Sequence, residues 1–369
     1  MRNLSRRPAR SLVTAVGVAL AVGAVVAMTG IAEGFRRSFV AMYQQRGVDL
    51  VVSRAGSVQS MTSAFDQSWA AEIAALDGVG DVAPQLSDVI SLDQFDVYGV
   101  LVQGWQKDSF LLDALKLVEG KSLAETGPRS IMIGAVLAKN LGKGIGDSVE
   151  VVEEEPYRIV GIFESFNVYE NNSILMRLDE LQRLMDRPGQ VNGFTVRVRD
   201  ATDRRAIARL QTRIDNLGHG LSALPAEDYV ESTQQIALAR SMAMLMSSVV
   251  LVLGVIGMFN TMIMSVLERT REIGVLRAVG WRKTRIVGMV LLEAEVLSVG
   301  GAAVGSLAAV GLVWGLAHLR QTNGLIDGRT APWVVLLGMA VAMLVGLLGG
   351  LYPAYRGARM LPTEALRHE

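Results

Sequence analysis

The sequence predicts a membrane protein: four transmembrane α-helices with a large α+β extracytoplasmic domain inserted between helices 1 and 2. Three observations predict this. The 369 residues are 50% hydrophobic, with a mean hydropathy of +0.33, too apolar for an ordinary soluble protein and too polar to lie wholly in a bilayer. Four stretches are long and apolar enough to cross a hydrocarbon core of roughly 30 Å, which needs about 20 residues. Between the first two lie roughly 200 residues of mixed polarity, enough to bury a core of their own.

Residues 1–33 hold a basic start (Arg2, Arg6, Arg7, Arg10) and the first span, whose apolar run Ser11–Ile31 is uncharged from Arg10 to Glu33. A cleaved signal peptide opens in the same way, but its apolar core is only about 7–15 residues. The longer run favours an uncleaved anchor. Residues 34–237 form the aqueous insert. Short apolar runs read as strands at Val48–Val52, Val97–Val102, Ser130–Ile133, Ser148–Val152, Tyr157–Phe163, Ser173–Met176 and Phe194–Val198. Helical patterns occupy Gln67–Leu76, Ala135–Leu141, Leu178–Met185 and Arg204–Asn216, with turn signals between them such as Asp77-Gly78 and Pro188-Gly189. Helical patterns also abut the spans at Glu33–Gln45 and Ala226–Arg240; each is either an outward continuation of its span or a linker.

The second span occupies 238–267, with its apolar run from Met242. The third occupies 286–317 and the fourth 332–353, with apolar runs Ile286–Leu316 and Trp333–Tyr352. A carboxylate at mid-bilayer costs about 2–3 kcal/mol, so Glu293 and Glu295 are expected at the cytoplasmic interface. Basic residues near span ends set orientation. Four arginines precede the first span, six basic residues lie in 268–285, and Arg356, Arg359 and Arg367 fall in the tail 354–369, against only Arg320 and Arg329 in the loop 318–331. Both termini and 268–285 are therefore expected inside, and the insert and the 318–331 loop outside. Arg36 and Arg37 run against this bias but open a long domain, where the rule is weak.

Several chemistries find no support. Lys plus Arg equals Asp plus Glu at 36 each, so no nucleic-acid partner is suggested, and there is no cysteine for a disulfide or thiolate metal site. Gly142-Lys143-Gly144-Ile145-Gly146 lacks the spacing of a phosphate-binding loop and reads as a turn. His219, His318 and His368 are scattered, so neither a metal nor another cofactor is expected. Asp93, Asp96, Glu164 and Glu170 show no spacing that singles them out as an acid–base pair. Glu153, Glu154 and Glu155 read as a solvated hairpin tip, a contact for a cationic ligand being the sharper alternative. Met61, Phe65 and Trp69 make a stripe at intervals of four, which suits core packing or, if exposed, an amphiphile. The pairs Gly301/Gly305, Gly311/Gly315 and Gly346/Gly350 let helix backbones approach closely.

The informative segment is 268–285. It is charge-dense, with Glu268, Arg269, Arg271, Glu272, Arg277, Arg282, Lys283 and Arg285, and Ile273, Val275, Leu276, Ala278 and Val279 are spaced to form an apolar face. Periodicity leaves two readings open: a basic anchor on membrane lipid, or a docking surface for a protein. Gly274 and Gly280 leave room for close approach, and Ile273 and Leu276 are the expected groove-filling residues.

The run GVIGMFNTMIMSVLERTREIGVLRAVGWRKTRI closely resembles the second-span and coupling-helix signature of MacB/FtsX-type ABC transporter permeases. It carries Asn260, Thr261 and Met262, then Glu268, Arg269, Arg271, Glu272, Ile273, Gly274, Arg277, Ala278 and Gly280. The ending GLYPAYRGARMLPTEALRHE and the middle run GKSLAETGPRSIMIGAVLAKNLGKGIGDSVEV with YRIVGIFES are similar to the same family. The resemblance implies a permease of the bacterial inner membrane that is not itself an enzyme, an ABC ATPase partner docking on Glu268–Gly280, and a second permease copy, identical or related. It also favours stalks at the two ends of the insert. It implies export or extraction of an amphiphilic substrate by mechanotransmission, in some members with a membrane-fusion adaptor and an outer-membrane channel. FtsX-like force transmission to an extracytoplasmic enzyme is the alternative, and a receptor without an ATPase is a third.

Overall fold

The computed structural model describes residues 8–56, 63–151, 155–165, 168–201, 203–318 and 329–360. The chain divides into two compact units, one holding residues 35–237 and the other the segments on either side of it.

The α+β unit is built on strands β1 (Leu50–Arg54), β2 (Phe65–Asp66), β3 (Val79–Leu92), β4 (Val97–Trp105), β5 (Lys116–Gly120) and β6 (Ser130–Gly134). It continues with β7 (Ser148–Glu150), β8 (Pro156–Glu164), β9 (Ser173–Arg177), β10 (Gln190–Val191), β11 (Gly193–Val198) and β12 (Leu221–Pro225). Helix α1 (Pro8–Gln45) leads into it, and its own helices are α2 (Trp69–Ala74), α3 (Phe110–Asp113), α4 (Ala135–Leu141), α5 (Val168–Asn171), α6 (Leu178–Leu184), α7 (Arg204–Asp215) and α8 (Ala226–Ser232). Ten strands make one mixed sheet in the order β12-β1-β11-β3-β4-β9-β6-β8-β5, with β7 also on β8, while β2 and β10 pair separately. The β4–β9 and β6–β8 pairs are parallel and the others antiparallel.

Both faces of the central strands are buried. Leu50 and Val52, Ile131 and Ile133, and Ile174 and Met176 enter one core with Phe194 and Tyr157. The residues between them, Val51, Met132 and Leu175, enter a second core with Trp105, Phe163 and Phe110–Leu112. This is why the strands read as continuous apolar runs instead of alternating. The expected strand Val48–Val52 appears two residues later, at Leu50–Arg54. Strand β3 is the long element that sequence patterning misses. It contains Gly80, Asp81 and Asp88, and Pro84 sits opposite Phe194 without an N–H to donate, features that normally argue against a central strand.

Within this unit the end of α1 packs on α8. Val40, Val230 and Ile236 share a small core with Phe35 and Phe39, Tyr43 meets Tyr229 edge to face at 6.0 Å, and Gln44 donates to Glu227 at 3.1 Å. Arg36 reaches Glu231 at 3.4 Å. The Ala226–Arg240 pattern is not one helix: α8 ends at Ser232, and Thr233 is extended at φ −69°, ψ 139°.

The membrane unit holds the first part of α1 with α9 (Gln234–Glu268), α10 (Thr270–Ala278), α11 (Lys283–His318) and α12 (Pro332–Arg359). Four helical segments, Leu12–Gln45, Ile236–Glu268, Lys283–Leu316 and Pro332–Arg359, are long and apolar enough to cross a membrane. Close approach depends on small residues. A Cβ on Gly305 would fall 2.2 Å from the Ala19 carbonyl oxygen and one on Gly301 2.8 Å from that of Ala15, so α11 lies directly on α1. Gly346 abuts Ser298 and Glu295, and Gly350 abuts Ala294, which sets α11 and α12 antiparallel. Gly311 and Gly315 have nothing within 4 Å of a built Cβ. The close approach expected of that pair from its spacing is therefore not made among the described residues.

Candidate functional site

The 268–285 segment is not one helix. Helix α9 ends at Glu268, Arg269 leaves helical geometry at φ −103°, ψ 15°, and α10 covers only Thr270–Ala278. The Thr270 hydroxyl donates to the Leu267 carbonyl at 2.6 Å across the break. At the other end Gly280 has φ +97°. Its N–H bonds the Arg277 carbonyl at 3.1 Å, and the Trp281 N–H bonds that of Leu276 at 3.0 Å. This 6→1 and 5→2 pair is a Schellman cap, which needs a left-handed residue and so favours glycine. Gly280 is thus a helix terminator.

Several expected docking residues work inside the chain. Ile273 is 2% exposed, and Ile273 and Val266 both lie against Gly357 of α12. Gly274 is buried beside it and Leu276 is half-buried against the same core. The expectation that Ile273 fills a groove on a partner is corrected, since it seats α10 on its own membrane unit; Leu276 is only half given over to that packing. Arg269 donates to Glu293 of α11 at 2.8 Å, which neutralises a carboxylate close to the apolar region. Arg277 donates to the Trp281 carbonyl at 2.9 Å and so braces the cap.

What remains outward is narrower. Glu268, Arg271 and Glu272 are exposed, and so are Val275 at 46% and Val279 at 77%. Arg271, Val275 and Val279 recur at i, i+4 and form one helical stripe, with Glu272 beside it. An exposed apolar pair rimmed by both signs of charge suits a helix laid in a partner's groove. The apolar residues Val275 and Val279 were visible in the sequence pattern. Periodicity groups Ile273, Val275, Leu276, Ala278 and Val279 as one apolar face and has no means of telling which of them pack inward.

The other residues weighed from sequence are dispersed. Glu170 is buried against Arg46, Glu164 pairs with Lys116 at 2.5 Å, and Asp93 and Asp96 lie in the turn between β3 and β4. Glu155 bonds Arg183. Phe65 is 4% exposed and stacks on Trp69, a core role. His219 stacks on Trp69 at 4.3 Å and bonds Glu72 at 2.9 Å. Met61, Glu153, Glu154, His368 and the side chain of His318 lie outside the described residues. Among the described residues no three His, Cys, Asp or Glu side chains cluster so as to hold a metal.

A family profile described as MacB-like periplasmic core domain matches residues 11–213, and one described as FtsX-like permease C-terminal matches residues 244–362. The macrolide export ATP-binding/permease protein MacB of Rhodospirillum rubrum is 30% identical over 399 residues, covering 100% of this chain and 59% of that protein. An uncharacterised ABC transporter permease of Methanocaldococcus jannaschii is 28% identical over 261 residues, 68% of this chain and 65% of its own length. The chain spans 58 to 61% of the length of the MacB relatives it matches. Among solved structures, the periplasmic region of MacB from Actinobacillus actinomycetemcomitans aligns with a TM-score of 0.40 at 12% identity, covering 51% of this chain and 94% of that one.

Proposed function

The chain belongs to the MacB/FtsX-type family of ABC transporter permeases, and on that premise we propose that it couples ATP hydrolysis by a partner ATPase to export or extraction of an amphiphilic substrate. The observation that carries the proposal is the outward stripe Arg271, Glu272 and Val275 on α10 with Val279 at its C-cap. Surface ion pairs are worth only about 0–1 kcal/mol, so exposed charges of both signs are poorly explained as folding devices. At an interface they fix register and speed association.

In this reading both termini and α10 face the cytoplasm of a bacterium with the α+β unit outside. The ATPase in this reading is a partner of these 369 residues, which contain no phosphate-binding loop; the MacB relatives are named as ATP-binding and permease proteins in one. Two permease copies, identical or related, flank the pathway, with a membrane-fusion adaptor and an outer-membrane channel as further partners of the export route. ATP-driven closure of the ATPases pushes on α10. The displacement passes through α9 and α1, whose end is tied to α8 within the α+β unit, and substrate is moved there without crossing the spans. The match of residues 11–213 to a MacB-like periplasmic core supports export over force transmission to an enzyme.

The chain has no cysteine, so a single one can be placed at will. A photo-crosslinker on Val279→Cys is expected to capture the ATPase subunit in membranes, and one on the outward Val304→Cys of α11 is not. Equal capture from both, or none from Val279→Cys, removes the docking assignment.

A further inference from the structure

Arg282, Lys283 and Arg285 at the start of α11 and Arg356 and Arg359 at the end of α12 are all exposed. None of them makes an ion pair with a carboxylate among the described residues. The sequence offers them few: there is no Asp or Glu from Ile273 to Leu292 or from Pro332 to Met360. The antiparallel register of α11 and α12, fixed where Gly346 meets Ser298 and Gly350 meets Ala294, carries Arg285 and Arg359 to the same level. Five cations thus gather at one end of the membrane unit, open to an anion from beyond the described residues.

Their depth and facing identify it. Arg356 and Arg359 lie four and seven residues beyond Tyr352, where the last apolar run ends, about 6 and 10 Å along the helix. The polar headgroup layer is roughly 5–7 Å deep on each side, and long basic side chains reach into it. The Arg359 guanidinium lies over Tyr355 at 4.3 Å and that of Arg285 near Trp281 at 6.0 Å, ring types that favour the membrane interface. Arg359 and Tyr355 also continue an outward apolar stripe, with Leu348 at 52%, Leu351 at 50% and Tyr352 at 56% exposed. On α11, Arg285 stands two turns from Leu292, which is 64% exposed. Each arginine therefore caps a face that meets acyl chains, whereas the docking stripe on α10 does not continue such a face.

We propose that this collar is a binding site for the headgroup of an anionic phospholipid, seated against Arg285 and Arg359 with its chains along Leu348 and Leu292. The proposal does not depend on the ATPase, so its test uses the purified full-length chain alone. Native mass spectrometry in detergent would follow binding of dioleoylphosphatidylglycerol, dioleoylphosphatidylcholine and glycerophosphate. Each basic residue near an anionic surface contributes about fivefold in affinity, so the anionic lipid is expected to bind at least about tenfold more tightly than the zwitterionic one. Arg285→Gln with Arg359→Gln should reduce the preference to within about twofold. Arg285→Lys with Arg359→Lys should keep it, which separates lost charge from lost folding, and Arg271→Gln on the docking stripe should leave it unchanged. Equal binding of the two lipids overturns the proposal, as does a preference that survives the Gln pair. Glycerophosphate binding as tightly as the anionic lipid would mean a soluble-anion site instead. Loss of ATPase copurification in the Gln pair with the lipid preference intact would assign these arginines to protein docking.

Discussion

Replacing Glu170 by Gln should destabilise the α+β unit far more than an ordinary polar substitution. Arg46 follows the last residue of α1, and its guanidinium is paired with the Glu170 carboxylate of α5, the two side chains being only 7% and 3% exposed. Arg46 also lies 4.9 Å from the Trp105 ring centre, Ser165 donates to Glu170, and Arg197 donates to the Arg46 carbonyl at 3.2 Å. The pair therefore clasps the end of α1 to the sheet from within a desolvated pocket. Removing one partner of such a pair leaves an uncompensated buried charge, a cost of about 3–5 kcal/mol. At about 2–4 °C per kcal/mol for a unit of this size, Glu170→Gln should lower the melting temperature by roughly 10 °C. Removing both charges, as Arg46→Met with Glu170→Met, forfeits mainly the contact with Trp105, about 0.5–2 kcal/mol, and should cost less than the single change. The assay is thermal unfolding of the full-length chain in detergent followed by tryptophan fluorescence, to which Trp105 contributes. A single variant within about 1 kcal/mol of wild type, or a double variant less stable than the single, would refute the reasoning.

Two other outcomes follow from the geometry. Gly305→Ala places a methyl group 2.2 Å from the Ala19 carbonyl oxygen and should lower the melting temperature of the membrane unit, while Gly311→Ala, which meets nothing within 4 Å, should not; equal effects would contradict the α1–α11 packing. Asp49 is held above the usual aspartate range mainly by burial, opposed by the bond it accepts from the Val198 N–H and by Arg197. Its folded state therefore favours the protonated form, and the stability it contributes is lost as pH rises through and above the carboxylate range. Wild type should accordingly lose ground to Asp49→Asn over an interval that begins at about pH 4, the ordinary aspartate value, and runs upward from it. A difference in melting temperature that stays constant across that interval would show that burial does not control this carboxyl.

Legibility from sequence tracks the kind of signal. The spans are readable because roughly 20 apolar residues in a row have few alternatives, and α4 (Ala135–Leu141) because it ends on Gly142 in a left-handed cap. Strand β3 is hidden because its burial comes from neighbours on both sides, Phe194 of β11 and Val100 and Val102 of β4, and not from its own pattern. The 268–285 segment is recognisable as a motif, yet its residues divide between inward packing and outward exposure, which spacing cannot separate. Ile273 and Val275 are equally apolar; only the position of Gly357 decides that Ile273 turns inward. In the same way Gly301/Gly305 and Gly311/Gly315 have identical spacing, and only the first pair meets a helix of this chain. A four-residue interval says that close approach is possible, not what approaches.

The central claim is that the outward stripe of α10 receives the push of an ATPase. Val275→Asp with Val279→Asp alters only residues that are 46% and 77% exposed, so it should leave the melting temperature of the chain unchanged. The decisive measurement is the amount of ATPase subunit copurified with this variant, read together with substrate-stimulated ATP turnover in proteoliposomes. Both are expected to fall at least about tenfold, which corresponds to about 1.4 kcal/mol of lost interface free energy. Copurification and stimulated turnover at wild-type levels would contradict the account and leave α10 as a membrane anchor.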